Sequence, residues 1–398
     1  MTTLYGSLAR PRFDADQITQ TIERALTSAG LDISTGPMHD VTKTIRRALA
    51  TPHAASSGFQ ADSQTLEVLE RVDEQGHGHS PVEPSPASSR GAVPLPGHLT
   101  AGEYSNHAGS RAYKLYVPAL ATEAPRPMIV MLHGCTQSAD DFARGTQMNR
   151  LAEENGFLVL YPEQAASANV SKCWNWFQPQ DQERDKGEPS LIAGMVTEVA
   201  RNHGIDRRRI FVAGLSAGAA MAVVLGETYP DLFAAVGAHS GLPFASAHDI
   251  PSAMAAMKGG RGKSRLAAVS GGHPVERRCQ QPVPTIVFHG DRDHTVQHSN
   301  GAAILQQASD ACAAAEEDLK ALSQTSIERG TSAGGRTFSR SIHRKGDRPP
   351  HLELWTVHGA GHAWSGGDAS GSYTDGKGPD ASAEMVRFFL AQPRAGSA

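Results

Sequence analysis

From about residue 98 onward, short continuous apolar runs alternate with stretches whose apolar residues recur every three or four positions. RAYKLYVPA (111–119) alternates like a half-buried strand, and the preceding NHAGS has the composition of a hairpin turn. PMIVMLHG predicts a buried strand ending at a glycine, and AEENGFLVLYPE a helix end followed by a strand. SLIAGMVTEVARNHG predicts a helix closed by Gly204. RRIFVAG, FAAVGAHSG, PVPTIVFHG and HLELWTVHG predict further buried strands, AAMAVVLGETYP a helix, and MVRFFLAQ a final helix. Apolar strands that alternate with helices predict an α/β protein with a mainly parallel sheet, covered by helices on both faces. KGGRGKSR (258–265) and GTSAGGR (330–336) are rich in glycine and are expected to be mobile loops.

The first 95 residues have a different texture. ITQTIERAL (18–26) and VTKTIRRAL (41–49) resemble each other, each with apolar residues at helical spacing. Two copies are too few for a solenoid. A Pro/Ser/Gly-rich stretch, GHGHSPVEPSPASSRGAVPLPG, follows and reads as a disordered linker. The expected organisation is a mostly disordered arm over 1–95 and a catalytic domain over 96–395. The two short helices lie on the surface of the arm or dock a protein or granule partner. Two histidines in GHGHS are too few to suggest a metal site.

Composition adds mostly exclusions. The 398 residues are 39% apolar and 20% charged, with a net charge of -4, which creates no field favouring nucleic acid or an anionic membrane. No run of about 18 apolar residues suggests a membrane span. The start, MTTLYGSLARPRFDAD, has no apolar core of a signal peptide, which favours a cytoplasmic location. Cys135, Cys173, Cys279 and Cys312 lack CxxC spacing, so neither zinc nor any other metal is expected.

The chemistry begins at AGLSAG (213–218), which sits between a predicted strand and a predicted helix. A tight corner there holds its serine in a strained conformation at the carboxyl edge of the sheet and tolerates only small neighbours. Ser216 is the candidate nucleophile, with a packing turn as the alternative. A serine hydroxyl needs a base, and the base needs an orienting carboxylate. In sheet enzymes of this kind the chain order is Ser, acid, His, each on a loop after a strand. HGDRDHTV offers Asp291 and Asp293, and HGAGHAWSGG offers His358 and His362. Asp293 is preferred because the loop needs a few residues to turn back. His362 is preferred because Gly359-Ala360-Gly361 forms an arch that carries it over the serine. His289 and His294 read as local hydrogen-bonding residues. An oxyanion hole would combine the amide of Ala217 with one from LHGCTQ (132–137), at Cys135, where His133 only braces the loop. No cofactor is required.

Together, HGCTQ, CWNWF (173–177), AGLSAG, HGDRDHTV and GAGHAWSGG resemble the polyhydroxybutyrate (PHB) depolymerase family of esterases, relatives of feruloyl and acetylxylan esterases, over about residues 98–392. The resemblance implies an α/β-hydrolase fold, a Ser216–His362–Asp293 triad and hydrolysis of small-molecule or polymeric carboxylic esters. It also implies that Trp174 or Trp176 lines the ester cleft, with a core role as the alternative, and that Cys135 and Cys173 form a disulfide. It suggests an extracellular location, against the cytoplasmic reading above, because disulfides persist in oxidising compartments. Cys279 and Cys312 form a second bridge or stay as thiols. Two other readings remain open: a serine peptidase on the same fold, and a non-catalytic protein that binds a granule or assembly through its arm.

Overall fold

The computed structural model describes residues 95–120, 124–259, 283–315, 324–344, 346–392 and 394. The arm helices at 18–26 and 41–49, the GHGHS histidines, residues 260–265 of KGGRGKSR and Cys279 lie outside the described residues.

The centre of the fold is a sheet of ten strands. In chain order they are β1 (His98–Asn106), β2 (Gly109–Val117), β3 (Arg126–Leu132), β4 (Leu158–Pro162), β5 (Ile205–Leu215), β6 (Ala235–His239), β7 (Thr285–Gly290), β8 (Gln324–Thr331), β9 (Thr337–Arg344) and β10 (Leu352–Val357). In space they lie β1-β2-β4-β3-β5-β6-β7-β10-β9-β8. The six strands from β4 to β10 are parallel, and an antiparallel hairpin extends the sheet at each side. The two short strands β11 (Trp364–Ser365) and β12 (Thr374–Asp375) pair separately.

The parallel strands are apolar throughout because both their faces are covered. Along β3, Met128, Val130 and Leu132 point into one core, while Ile129 and Met131 point into the other. The first core is closed by α3 (Gly187–Asn202), through Met195 and Val196, and by α4 (Ala217–Thr228), through Met221 and Leu225. The second is closed by α1 (Ala139–Thr146), α2 (Met148–Asn155) and α7 (Ala381–Leu390). There Phe389 stacks on Phe211 of β5 at 5.1 Å. The first ten residues of α4 are all buried, which is why its sequence shows no polar face. This is the α/β-hydrolase fold. Two more helices, α5 (Ile250–Met257) and α6 (Ser299–Ala315), follow β6 and β7.

The strand order singles out one place at the sheet edge. From β3 the chain turns to one side for β4 and then to the other for β5, β6, β7 and β10, so the winding reverses between β3 and β5. In open parallel sheets, ligands bind outside the carboxyl ends of the strands at such a reversal.

GTSAGGR contains the loop its composition suggests. It is the tight connection of the β8–β9 hairpin, with Ser332 N bonded to Arg336 O at 2.8 Å and Gly335 N to Ser332 O at 3.0 Å. The hairpin escaped the sequence pattern because its strands are polar and largely solvent-facing, so apolar alternation is weak.

Candidate active site

β5 ends at Leu215 and α4 starts at Ala217, which leaves Ser216 alone at the corner. Its φ of 57° and ψ of -118° fall where non-glycine residues are strained. The corner is held by Ser216 N donating to His239 O on the neighbouring strand (2.9 Å) and by Ala220 N donating to Ser216 O (3.0 Å). A Cβ on Gly214 would meet the backbone of Gly218 and Leu132, and one on Gly218 the carbonyls of Leu132 and His133. Strand, helix and the loop after β3 thus approach backbone to backbone, and only glycine allows it. The corner also opens α4, whose first amides have no partner within the helix.

The loop after β3 is braced from several sides. Gly134 N donates to Gln137 Oε1 (2.9 Å) and Thr136 N to Ser171 O (2.7 Å), while Cys135 is joined to Cys173 by a disulfide. His133 is fully buried, which depresses its pKa and keeps it neutral. Its Nε2 accepts from Gln164 N (3.1 Å), and its Nδ1 lies 2.7 Å from Gly134 O.

Trp174 differs from the cleft-lining expectation. Its side chain is fully buried, with its indole Nε1 donating to His133 O at 3.1 Å, so it props the loop from inside. An indole N–H sealed from water takes a backbone carbonyl as partner. Trp176 is also in the core, 6% exposed, and meets Phe177 edge to face. Core packing, the alternative reading of CWNWF, describes both. Behind them a buried carboxylate gathers the segment. Glu188 accepts from Arg111 (3.1 Å), Gln164 (2.5 Å), and Asn175 through both its backbone (2.7 Å) and side chain (2.8 Å). Gln164 also donates to Cys173 O (2.9 Å). Sequence reasoning missed this hub, because single polar residues 77 positions apart carry no periodic signal.

The loops after β7 and β10 meet through two Asp–His pairs. Asp293, 1% exposed, lies 2.7 Å from His362 Nδ1 through Oδ2. Its Oδ1 accepts the amides of Thr295 (2.9 Å) and Val296 (2.8 Å). Burial opposes ionisation of Asp293, but hydrogen bonds from His289 and His362 outweigh it and hold the carboxyl well below the usual carboxylate range. In the second pair, His358 Nδ1 lies 2.9 Å from Asp291 Oδ2, and its Nε2 lies 2.9 Å from Ser339 Oγ on β9. Both ring nitrogens of His358 are therefore occupied, one by the loop after β7 and the other by β9. His289 is buried, its Nε2 2.9 Å from Val296 O, and His294 is exposed.

One more histidine at this edge was not singled out. His239, at the end of β6, is buried against Phe288 and Trp364, and its Nε2 accepts from Ser365 N at 3.0 Å. Burial, with the neighbouring His289 and His362, lowers its pKa to about 3. Its position, carboxyl-terminal in FAAVGAHSG, is the signal that could have found it. Since its carbonyl holds Ser216 and its ring holds Ser365, it links the serine corner to the segment that follows His362. Among the described residues, no group of three or more His, Cys, Asp or Glu is placed to hold a metal ion.

Residues 111–311 match the family model described as esterase PHB depolymerase, half of the chain. The chain belongs to that family. Among curated relatives of this esterase family, poly(3-hydroxyalkanoate) depolymerase C of Paucimonas lemoignei is 34% identical over 243 residues, 60% of this chain and 55% of that protein. Acetylxylan esterase A of Aspergillus oryzae is 34% identical over 171 residues, 42% of this chain and 54% of that protein. The chain spans about half the length of these curated relatives. A solved acetyl xylan esterase from Aspergillus awamori covers 74% of this chain and all of its own, at a TM-score of 0.55 and 22% identity, which supports the shared fold.

Proposed function

We propose that this member of the esterase PHB depolymerase family hydrolyses carboxylic esters with Ser216, His362 and Asp293 as its catalytic triad. The observation that carries the reading is the strained Ser216 corner at the point where the strand order reverses, on the same sheet edge as an Asp293–His362 pair. Asp293, ionised, fixes His362 with its proton on Nδ1 and leaves Nε2 as the base. The Ser216 hydroxyl gives its proton to His362 while Oγ adds to the ester carbonyl. The resulting oxyanion is received by the amides of Cys135 and Ala217, worth about 2.7–4 kcal/mol per donor. Collapse expels the alcohol, which takes the proton from His362, and leaves an acyl-enzyme. Water, deprotonated by His362, then releases the acid. The substrates we propose are short-chain, hydroxyalkanoate or aryl esters. The Cys135–Cys173 disulfide favours an oxidising compartment.

The test is Ser216→Ala, assayed with a fluorophosphonate probe and a panel of soluble esters. Both labelling and nearly all turnover should vanish while the protein stays folded. Labelling at the wild-type level would place the nucleophile elsewhere.

A further inference from the structure

The segment after His362 returns to the loop after β3 and is bolted to it. Ser372 N donates to Asp141 Oδ1 at 3.0 Å, and Gln137 Nε2 donates to Ser372 O at 3.1 Å. The same Gln137 side chain takes the Gly134 amide. On the other side, Trp364 N donates to Tyr373 O at 2.7 Å. Tyr373 is therefore held from both sides, by the loop that carries Cys135 and by the strand just beyond His362.

Its own conformation is unusual. Tyr373 has φ 52°, a left-handed backbone that costs a bulky residue of order 1–3 kcal/mol. The residue is nevertheless 48% exposed, so burial does not explain why it stands there. The tyrosine hydroxyl lies 3.2 Å from Thr136 Oγ1. Thr136 in turn donates its hydroxyl proton to Cys135 O at 2.6 Å, so the tyrosine is the donor to Thr136. Thr136 is itself left-handed, with φ 64°. A ring fixed at its hydroxyl end next to Cys135, with much of its surface in solvent, offers an apolar surface one residue from the proposed oxyanion donor.

We propose that the Tyr373 ring is the platform that receives the apolar group of the ester, with flat aryl groups favoured over small alkyl groups. The proposal rests on the serine-esterase reading above and adds the residue that sets substrate preference. A ring presented in this way offers stacking and apolar contact, worth roughly 3- to 10-fold in affinity for an aromatic partner. A platform contact already complete in the bound ester is made equally in ground and transition states. It therefore acts on KM rather than kcat.

The experiment measures kcat and KM of the full chain on methyl acetate, phenyl acetate and methyl benzoate, which carry no ring, a ring on the alcohol side and a ring on the acyl side. Tyr373→Asn removes the ring but keeps a residue that accepts the left-handed backbone, and Tyr373→Phe removes only the hydroxyl. Tyr373→Asn should lower kcat/KM about 3- to 10-fold on at least one ring-bearing ester, through KM, and less than about twofold on methyl acetate. Tyr373→Phe keeps the ring but not the hydroxyl that fixes it, and on the ring-bearing ester that loses most in Tyr373→Asn it should keep a higher kcat/KM than Tyr373→Asn. An equal loss on methyl acetate, a loss carried by kcat, or no loss on any ester would overturn the proposal. Ser216→Ala, run alongside, separates the two claims. Turnover surviving there would defeat the serine reading, whatever Tyr373 does.

Discussion

At the residue scale, two aspartates two positions apart stand in different surroundings. Asp293 is sealed from water and held by two amides and His362, whereas Asp291 is partly exposed and bonds to His358 and the Gly359 amide. Asp293→Asn should lower kcat by about four orders of magnitude, because the amide favours the wrong imidazole tautomer and cannot stabilise the imidazolium. Asp291→Asn should cost about tenfold or less, since it loosens only a pair outside the proposed triad. The reverse order in steady-state kinetics would show that His358 is the base. His239 makes a separate prediction about stability. Its folded pKa of about 3 lies below the ordinary histidine value, so the unfolded chain binds more protons between the two. Its contribution is complete above about pH 6.5 and is lost as pH falls toward 3. The denaturation free energy should therefore drop more steeply from pH 6.5 to 4 in wild type than in His239→Gln. Equal slopes would mean that His239 is not kept neutral by the fold.

At the element scale, the loop after β3 is positioned by what packs behind it. It has a disulfide to Cys173, an indole under His133 and a buried Glu188 that holds Gln164 and Asn175. Its own sequence, HGCTQ, contains none of these partners. Cutting one tie tests whether the tie positions the Cys135 amide. Complete reduction of the Cys135–Cys173 bond, verified by thiol counting, should lower kcat on a small soluble ester by up to about 10²-fold, with KM changing less. An unchanged kcat in the reduced protein would show that the hydrogen bonds alone hold the amide in place. The corner before α4 makes a different demand. Gly218→Ala pushes a methyl group against two carbonyls, and it should destabilise the fold by about 1–3 kcal/mol, read as a lower Tm.

At the scale of the whole molecule, the sheet separates two cores and brings loops from distant parts of the chain to one edge. Every group in the proposed mechanism lies between Cys135 and His362, on loops after β3, β5, β7 and β10. A chain beginning at residue 96 should therefore keep kcat/KM on soluble esters within about fivefold of the full chain, because every residue of the proposed mechanism lies beyond that point. Insolubility or inactivity of the shortened chain would assign the arm a part in the folded catalytic unit. The helices of the described residues add no membrane span.

The sequence by itself determined the features written in local chemistry. Continuous apolar strands specified a sheet buried on both faces. AGLSAG specified a strained corner, because two glycines there answer a backbone contact that no larger residue permits. The order of serine, acid and histidine followed from which loops end parallel strands. The tertiary structure decided what depends on partners far apart in the chain. Asp291 and Asp293, like His358 and His362, are near neighbours with similar local sequence, and which aspartate pairs with which histidine is set by contacts 67 and 69 residues long. Trp174, which the resemblance places in the cleft with core as the alternative, is fully buried with its indole N–H bonded to the His133 carbonyl. Tyr373 stands beside Thr136 through a hydrogen bond spanning 237 residues, which no local pattern announces. Periodicity reports which face of an element is buried, but only packing decides which side chains meet across it.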